Sequence, residues 1–98
     1  MAKLRLNPKT KGVYQFYCLG CNEIHQVWTN KEDGPTIWGF NGSIEKPTFS
    51  PSIKVEYHGA DKDTVCHSFI RDGKIQYLSD CTHALAGKTV ELPDFDSI

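Results

Sequence analysis

The chain has 98 residues, a net charge of −1 and eleven aromatic side chains, a composition that suits one domain with a modest core and argues against disorder. So even a charge balance gives no electrostatic reason to expect a nucleic-acid backbone or an anionic membrane as partner. No apolar run approaches the roughly eighteen residues of a membrane span.

Residues 1–11 carry little pattern, and Lys3, Arg5, Lys9 and Lys11 read as a solvated edge. Residues 13–17 (Val-Tyr-Gln-Phe-Tyr) are rich in β-branched and aromatic side chains and predict a strand. Cys18-Leu19-Gly20-Cys21-Asn22 follows as a turn, with Gly20 and Asn22 as its turn residues, and residues 23–29 predict a second strand. A polar loop spans 29–35. Residues 36–40, the dipeptide Asn41-Gly42 and residues 43–46 predict a two-residue hairpin. Pro47 and Pro51 remove backbone donors and confine the piece between them to an edge or a crossing loop. Residues 52–58 alternate, with Ile53, Val55 and Tyr57 on one face and Lys54, Glu56 and His58 on the other, as a half-buried strand does.

The most informative stretch is 66–83, where two half-apolar runs flank Asp72-Gly73, a strong type I′ turn signal. That turn sets Arg71 against Lys74, Ile70 against Ile75 and Cys66 against Ser79. Alternation then places Cys66, Ser79, Cys81 and His83 on one face, with His67 and Asp80 on the other. Residues 82–87 predict one helical turn, residues 88–92 a last strand, and 93–98 a tail. Nothing elsewhere has ten residues of helical periodicity. The expected class is all-β, or β with one short helical turn. The expected architecture is a single domain over 1–98, a small zinc-stabilised antiparallel sheet of hairpins, with 1–11 and 93–98 peripheral.

Two thiols from one tight turn can take two corners of a tetrahedral zinc site, and the turn's amides can donate to the sulfurs. Paired with the later Cys/His cluster, Cys18 and Cys21 predict Zn2+ completed by Cys66 and Cys81, with His67, His83 and His25 as alternates. Redox chemistry fits less well, because a thioredoxin-type C-x-x-C opens a helix whereas a strand follows here. His67 and Asp80, on one face, can form a carboxylate–imidazole pair. The plain alternative makes Asp80 a helix cap and His67 a core residue.

Five blocks carry a family resemblance: Cys18-Leu19-Gly20-Cys21 with His25, Trp38-Gly39-Phe40-Asn41-Gly42, Lys46-Pro47-Thr48-Phe49-Ser50-Pro51-Ser52-Ile53, Cys66-His67-Ser68-Phe69-Ile70-Arg71-Asp72-Gly73, and Asp80-Cys81-Thr82-His83-Ala84-Leu85-Ala86-Gly87. On these the chain resembles a family of small Cys/His-rich proteins from phages, prophages and bacterial genomes. That family is grouped as a domain of unknown function and often labelled ammonia monooxygenase. Leu19 departs from the proline that more often follows the first cysteine there. The resemblance implies a phage accessory or bacterial domain with a metal site. With no apolar span and no apolar core of a signal peptide at the N-terminus, the expected location is cytoplasmic, the host cytoplasm if phage-encoded. The monooxygenase label lacks chemical support, because a copper oxygenase needs open, His-rich coordination and zinc has no redox chemistry.

Two functions follow from the residues. One is a non-enzymatic module that binds another protein, stabilised by structural zinc, with Trp38, Phe40 and Phe49 as candidate anchors, two of the three being expected in the core instead. The other is a small zinc hydrolase with three protein ligands plus water, and His67, Asp80 or His25 as base. The Ser50-Pro51-Ser52 loop would line its pocket. A serine nucleophile is disfavoured, because no Gly-x-Ser-x-Gly elbow surrounds it.

Overall fold

The computed structural model describes residues 2–29, 38–60 and 62–97. The chain folds as two antiparallel sheets. The first contains β1 (Arg5–Leu6), β2 (Val13–Cys18) and β3 (Glu23–Trp28) in that order. The second runs β4 (Gly39–Phe40), β5 (Phe49–His58), β6 (Asp63–Arg71), β7 (Lys74–Tyr77), β8 (Thr89–Glu91). The core lies between them. Phe16, Cys18 and Val27 from the first sheet meet Phe49, Ile53, Cys66, Ile70, Ile75 and Tyr77 from the second, all buried. At one end Phe40 joins the layers, with its ring 4.7 Å from Tyr14 and 4.8 Å from Phe49.

Local signals explain most of the strands. Asp72 (φ 50°) and Gly73 (φ 79°) both take the left-handed conformation a tight hairpin requires, and Arg71 pairs with Lys74 and Ile70 with Ile75. The β2–β3 turn closes with the Asn22 N–H donating to the Cys18 carbonyl at 2.7 Å, with Asn22 at φ 60°. It leaves Phe16 opposite His25 and Cys18 opposite Glu23.

Three expectations need correcting. β1 lies where little pattern was visible: it is two exposed residues, held to β2 by register and by the Arg5 guanidinium donating to Gln15 Oε1 at 2.6 Å. Asn41-Gly42 does not form a two-residue hairpin. β4 pairs with Phe49 and Ser50, so the connection is longer. The Asn41 side chain organises it, accepting from the Ser43 and Thr48 amides and donating to the Lys46 carbonyl. Residues 82–87 make turns, and among the described residues the one helical element is a 3-10 turn at Phe95–Ser97. The loop at 30–35 and residues 36–37 fall outside the described residues. Among the described residues no helix is long and apolar enough to cross a membrane.

Candidate functional site

Adjacent residues of a strand point to opposite faces of its sheet, and β6 uses this at Cys66 and His67. Cys66 is buried between the sheets, whereas His67 lies on the outer face.

On the inner face, Cys18, Cys21, Cys66 and His83 bring one ligand atom each within 4.8 Å of one another. The Cys18 and Cys66 sulfurs are 3.7 Å apart, close to the ~3.8 Å between two corners of a tetrahedron with metal–sulfur distances of about 2.3 Å. His83 Nε2 is buried with no hydrogen-bond partner. A polar atom orphaned beside three sulfurs is what a bound cation would satisfy. The surroundings fit the same role. The Cys21 N–H donates to Cys18 Sγ at 3.4 Å, and the Tyr77 hydroxyl lies 3.2 Å from that sulfur. The same hydroxyl accepts the Gly20 N–H at 3.3 Å, and the Tyr77 ring meets the His83 ring edge-on at 4.6 Å. A Cβ at Gly20 would overlap the His83 ring, so the turn can come this close only with glycine there.

Charge is shared unequally among the thiols. Cys18 is held ionised, its pKa lowered to about 3 by the bond from Cys66 and, against burial, by the nearby His25 side chain and by donors on Tyr77 and the Cys21 amide. Cys66 is pushed well above the ordinary thiol range, because its proton bonds the Cys18 sulfur and because it is buried. Burial, then the Cys18 charge, pushes Cys21 up to about 12. Burial and the bond to Cys18 also push the Tyr77 hydroxyl up, so it stays a donor. A divalent cation would hold all three sulfurs as thiolates.

Among the residues expected to ligate, the structure gathers Cys18, Cys21 and Cys66, and brings in His83 rather than Cys81. The physical reason is that β7 ends at Tyr77, so alternation stops before the 78–83 turn. Cys81 bonds the backbone of His67 instead: its sulfur accepts the His67 N–H and donates to the His67 carbonyl, both at 3.2 Å. His25 sits on the inner face of β3, with Nε2 unpartnered and its ring edge-on to Phe16. With Cys21 and Glu23 it forms a second close group that shares a sulfur with the first.

On the outer face, directly behind Cys66, a second constellation stands. Ser52 Oγ lies 2.9 Å from His67 Nε2, and His67 Nδ1 lies 3.1 Å from Asp80 Oδ2. Ser52 on β5 is diagonal to His67 on β6, whose direct partner is Lys54. Asp80 reaches His67 because the following residues bind β6: the Thr82 N–H donates to the Val65 carbonyl, and the Val65 N–H donates to Thr82 Oγ1, each at 3.0 Å. Asp80 and His83 therefore belong to one short segment, pinned on one side of β6 to the imidazole and on the other to the sulfurs. A serine, an imidazole and a carboxylate in this order form the relay that activates a serine hydroxyl for acyl transfer.

Sequence reasoning disfavoured Ser52 and missed Tyr77. Tyr77 had a signal, since it alternates with Ile75 on the apolar face of β7. No curated protein and no solved structure matches the chain. A family described as "Bacterial ubiquitination-like system serine protease (BubE)" matches residues 3–78. The matched region includes Ser52, His67, Cys18, Cys21 and Cys66 and stops before Asp80 and His83. With more than half of its length matched, the chain belongs to this BubE family.

Proposed function

We propose that this protein is a serine peptidase that cleaves a peptide or isopeptide amide in a polypeptide of a bacterial ubiquitination-like system, with a structural zinc ion behind its catalytic face. The observation that carries the reading is the Ser52–His67–Asp80 relay, and the family's description supports it. His67 Nε2 takes the proton of Ser52 Oγ as that oxygen attacks the amide carbonyl, then gives it to the departing amine. The ester left on Ser52 is hydrolysed by water that His67 deprotonates. Asp80 holds the proton of Nδ1 and orients the ring.

The ion would be held by Cys18, Cys21, Cys66 and His83. Four protein ligands fill a tetrahedron and leave no position for a reacting water, which favours structure over metal-assisted hydrolysis. When bound, it cross-links the β2–β3 turn, β6 and the 78–83 segment that bears Asp80. Partners beyond the substrate polypeptide are not required by this reading.

The test is cleavage of a bacterial ubiquitin-like protein bearing an amide-linked fluorophore at its C-terminus. Ser52→Ala and His67→Ala should each abolish release while retaining the metal and the fold. Release that persists in Ser52→Ala would remove the reading.

A further inference from the structure

β5 is ten residues long, but β4 covers only Phe49 and Ser50 on one of its sides. Among the described residues no strand lies on that side of residues 51–58. The direction of the backbone groups there follows from the other side of β6. The His67 carbonyl accepts the Leu78 N–H at 2.9 Å, and the His67 N–H goes to Cys81 Sγ. Val65 likewise uses its N–H and carbonyl on Thr82. Both residues thus turn their backbone groups away from β5, so Lys54 opposite His67 and Glu56 opposite Val65 are non-hydrogen-bonded pairs. The N–H and carbonyl of Lys54 and Glu56 must then face the uncovered edge. The Ser52 carbonyl faces the same way, since it accepts the Trp38 indole N–H at 3.3 Å. Lys54 and Glu56 are both exposed and tie their side chains to one another at 3.1 Å on the sheet face.

We infer that this edge is the substrate-binding strand: an extended segment of the substrate polypeptide pairs with the backbone of Lys54 and Glu56 and so delivers its scissile carbonyl to Ser52. The inference rests on the serine-peptidase reading. Strand addition takes affinity from main-chain hydrogen bonds and is tolerant of sequence. It also explains why the nucleophile sits where the covered part of β5 gives way to the open part. The occupant is an extended chain in β conformation with unblocked amides facing Lys54 and Glu56.

Proline at an outward-facing edge position removes one donor without breaking the β5–β6 ladder. Lys54→Pro and Glu56→Pro should therefore raise KM for the ubiquitin-like amide substrate by about tenfold, the scale of one lost hydrogen bond plus the blocked edge. The rate of Ser52 labelling by a small fluorophosphonate should stay within about twofold, because that probe needs no strand pairing. Unchanged KM in both proline variants overturns the inference, as does a change in sedimentation of Glu56→Pro with KM unaltered, which would assign the edge to a second copy of the chain. Should the proline variants fail to fold, wild-type protein and peptide substrates N-methylated one position at a time give the same answer. Alternate positions near the cleaved bond should lose affinity, and a flat scan overturns the proposal. Wild-type protein that resists the phosphonate altogether would instead refute the peptidase reading itself.

Discussion

Tyr77→Phe isolates a single hydroxyl at the point where the two sheets and the sulfur cluster meet. The phenyl ring keeps its edge-on contact with His83, so packing is preserved. Two interactions are lost. The hydroxyl no longer donates to Cys18 Sγ, an ionised acceptor, and no longer accepts the Gly20 N–H. A bond to a charged group contributes roughly 1.5–3 kcal/mol, and a stranded, partly buried amide adds about 1, giving a loss of about 3 kcal/mol. In a domain of this size that lowers Tm by roughly 12–24 °C. Because second-layer partners tune metal affinity, zinc should bind about 10–100-fold more weakly. Thermal melts in excess zinc read the first quantity, and competition with a chromophoric chelator reads the second. A Tm within a few degrees of wild type and an unaltered chelator midpoint would refute the reasoning, since no charged sulfur would then depend on that hydroxyl.

Asp80→Asn should leave KM for the amide substrate in place and lower kcat by roughly 10²–10³-fold. That is less than the ~10⁴ known where the carboxylate is buried, because the Asp80 side chain is 51 % exposed and water can replace part of its role. Initial rates at saturating substrate measure it. Gly20→Ala places a methyl group inside the His83 ring, and should displace His83 and cost about 1–3 kcal/mol. Loss of a tetrahedral cobalt spectrum in the substituted protein would report the displacement, and an unperturbed spectrum would contradict it. Zinc uptake should be strongly pH-dependent. Without an ion Cys66 and Cys21 keep their protons, the latter up to about pH 12, whereas Cys18 is already ionised above about pH 3. Binding must expel the two retained protons, so acid favours the ion-free form and affinity rises about a hundredfold per pH unit. Calorimetry in buffers of different ionisation enthalpy counts the released protons, and a count near zero would remove the thiols from the ligand set.

The strands were legible wherever a local signal fixed their register. Asp72-Gly73 set every pair from Arg71–Lys74 to Ser68–Tyr77, and alternation along 52–58 gave the inward side of β5 at Ile53 and Val55 but failed at Tyr57, which is 68% exposed where the strand runs past the core. The turn at Cys18–Cys21 was equally readable, because two strands with β-branched and aromatic residues flank it. β1 was not, since two exposed residues make no pattern. Asn41-Gly42 misled because the Asn41 side chain, rather than a type I′ turn, closes that loop.

At the candidate site, what was hidden is what depends on irregularity. Ser52 lies within the irregular stretch of the β5–β6 pairing between Phe49 and Ile53, diagonal to His67, and no turn dipeptide announces that pairing. It also lacks the glycine-flanked elbow by which an activated serine is usually read from sequence. His83 enters the sulfur cluster because the chain turns after Tyr77, where extrapolating a strand's alternation assigns Cys81 instead. The Cys81 sulfur, bound to both backbone groups of His67, holds the imidazole whose partners are Ser52 and Asp80.

The most direct measurement is mass spectrometry of the intact, zinc-loaded chain after reaction with a fluorophosphonate, followed by peptide mapping. A single adduct on Ser52 is predicted, absent in Ser52→Ala and strongly slowed in His67→Ala. An unmodified protein, or an adduct on any other residue that survives Ser52→Ala, would contradict the assignment of Ser52 as an activated nucleophile.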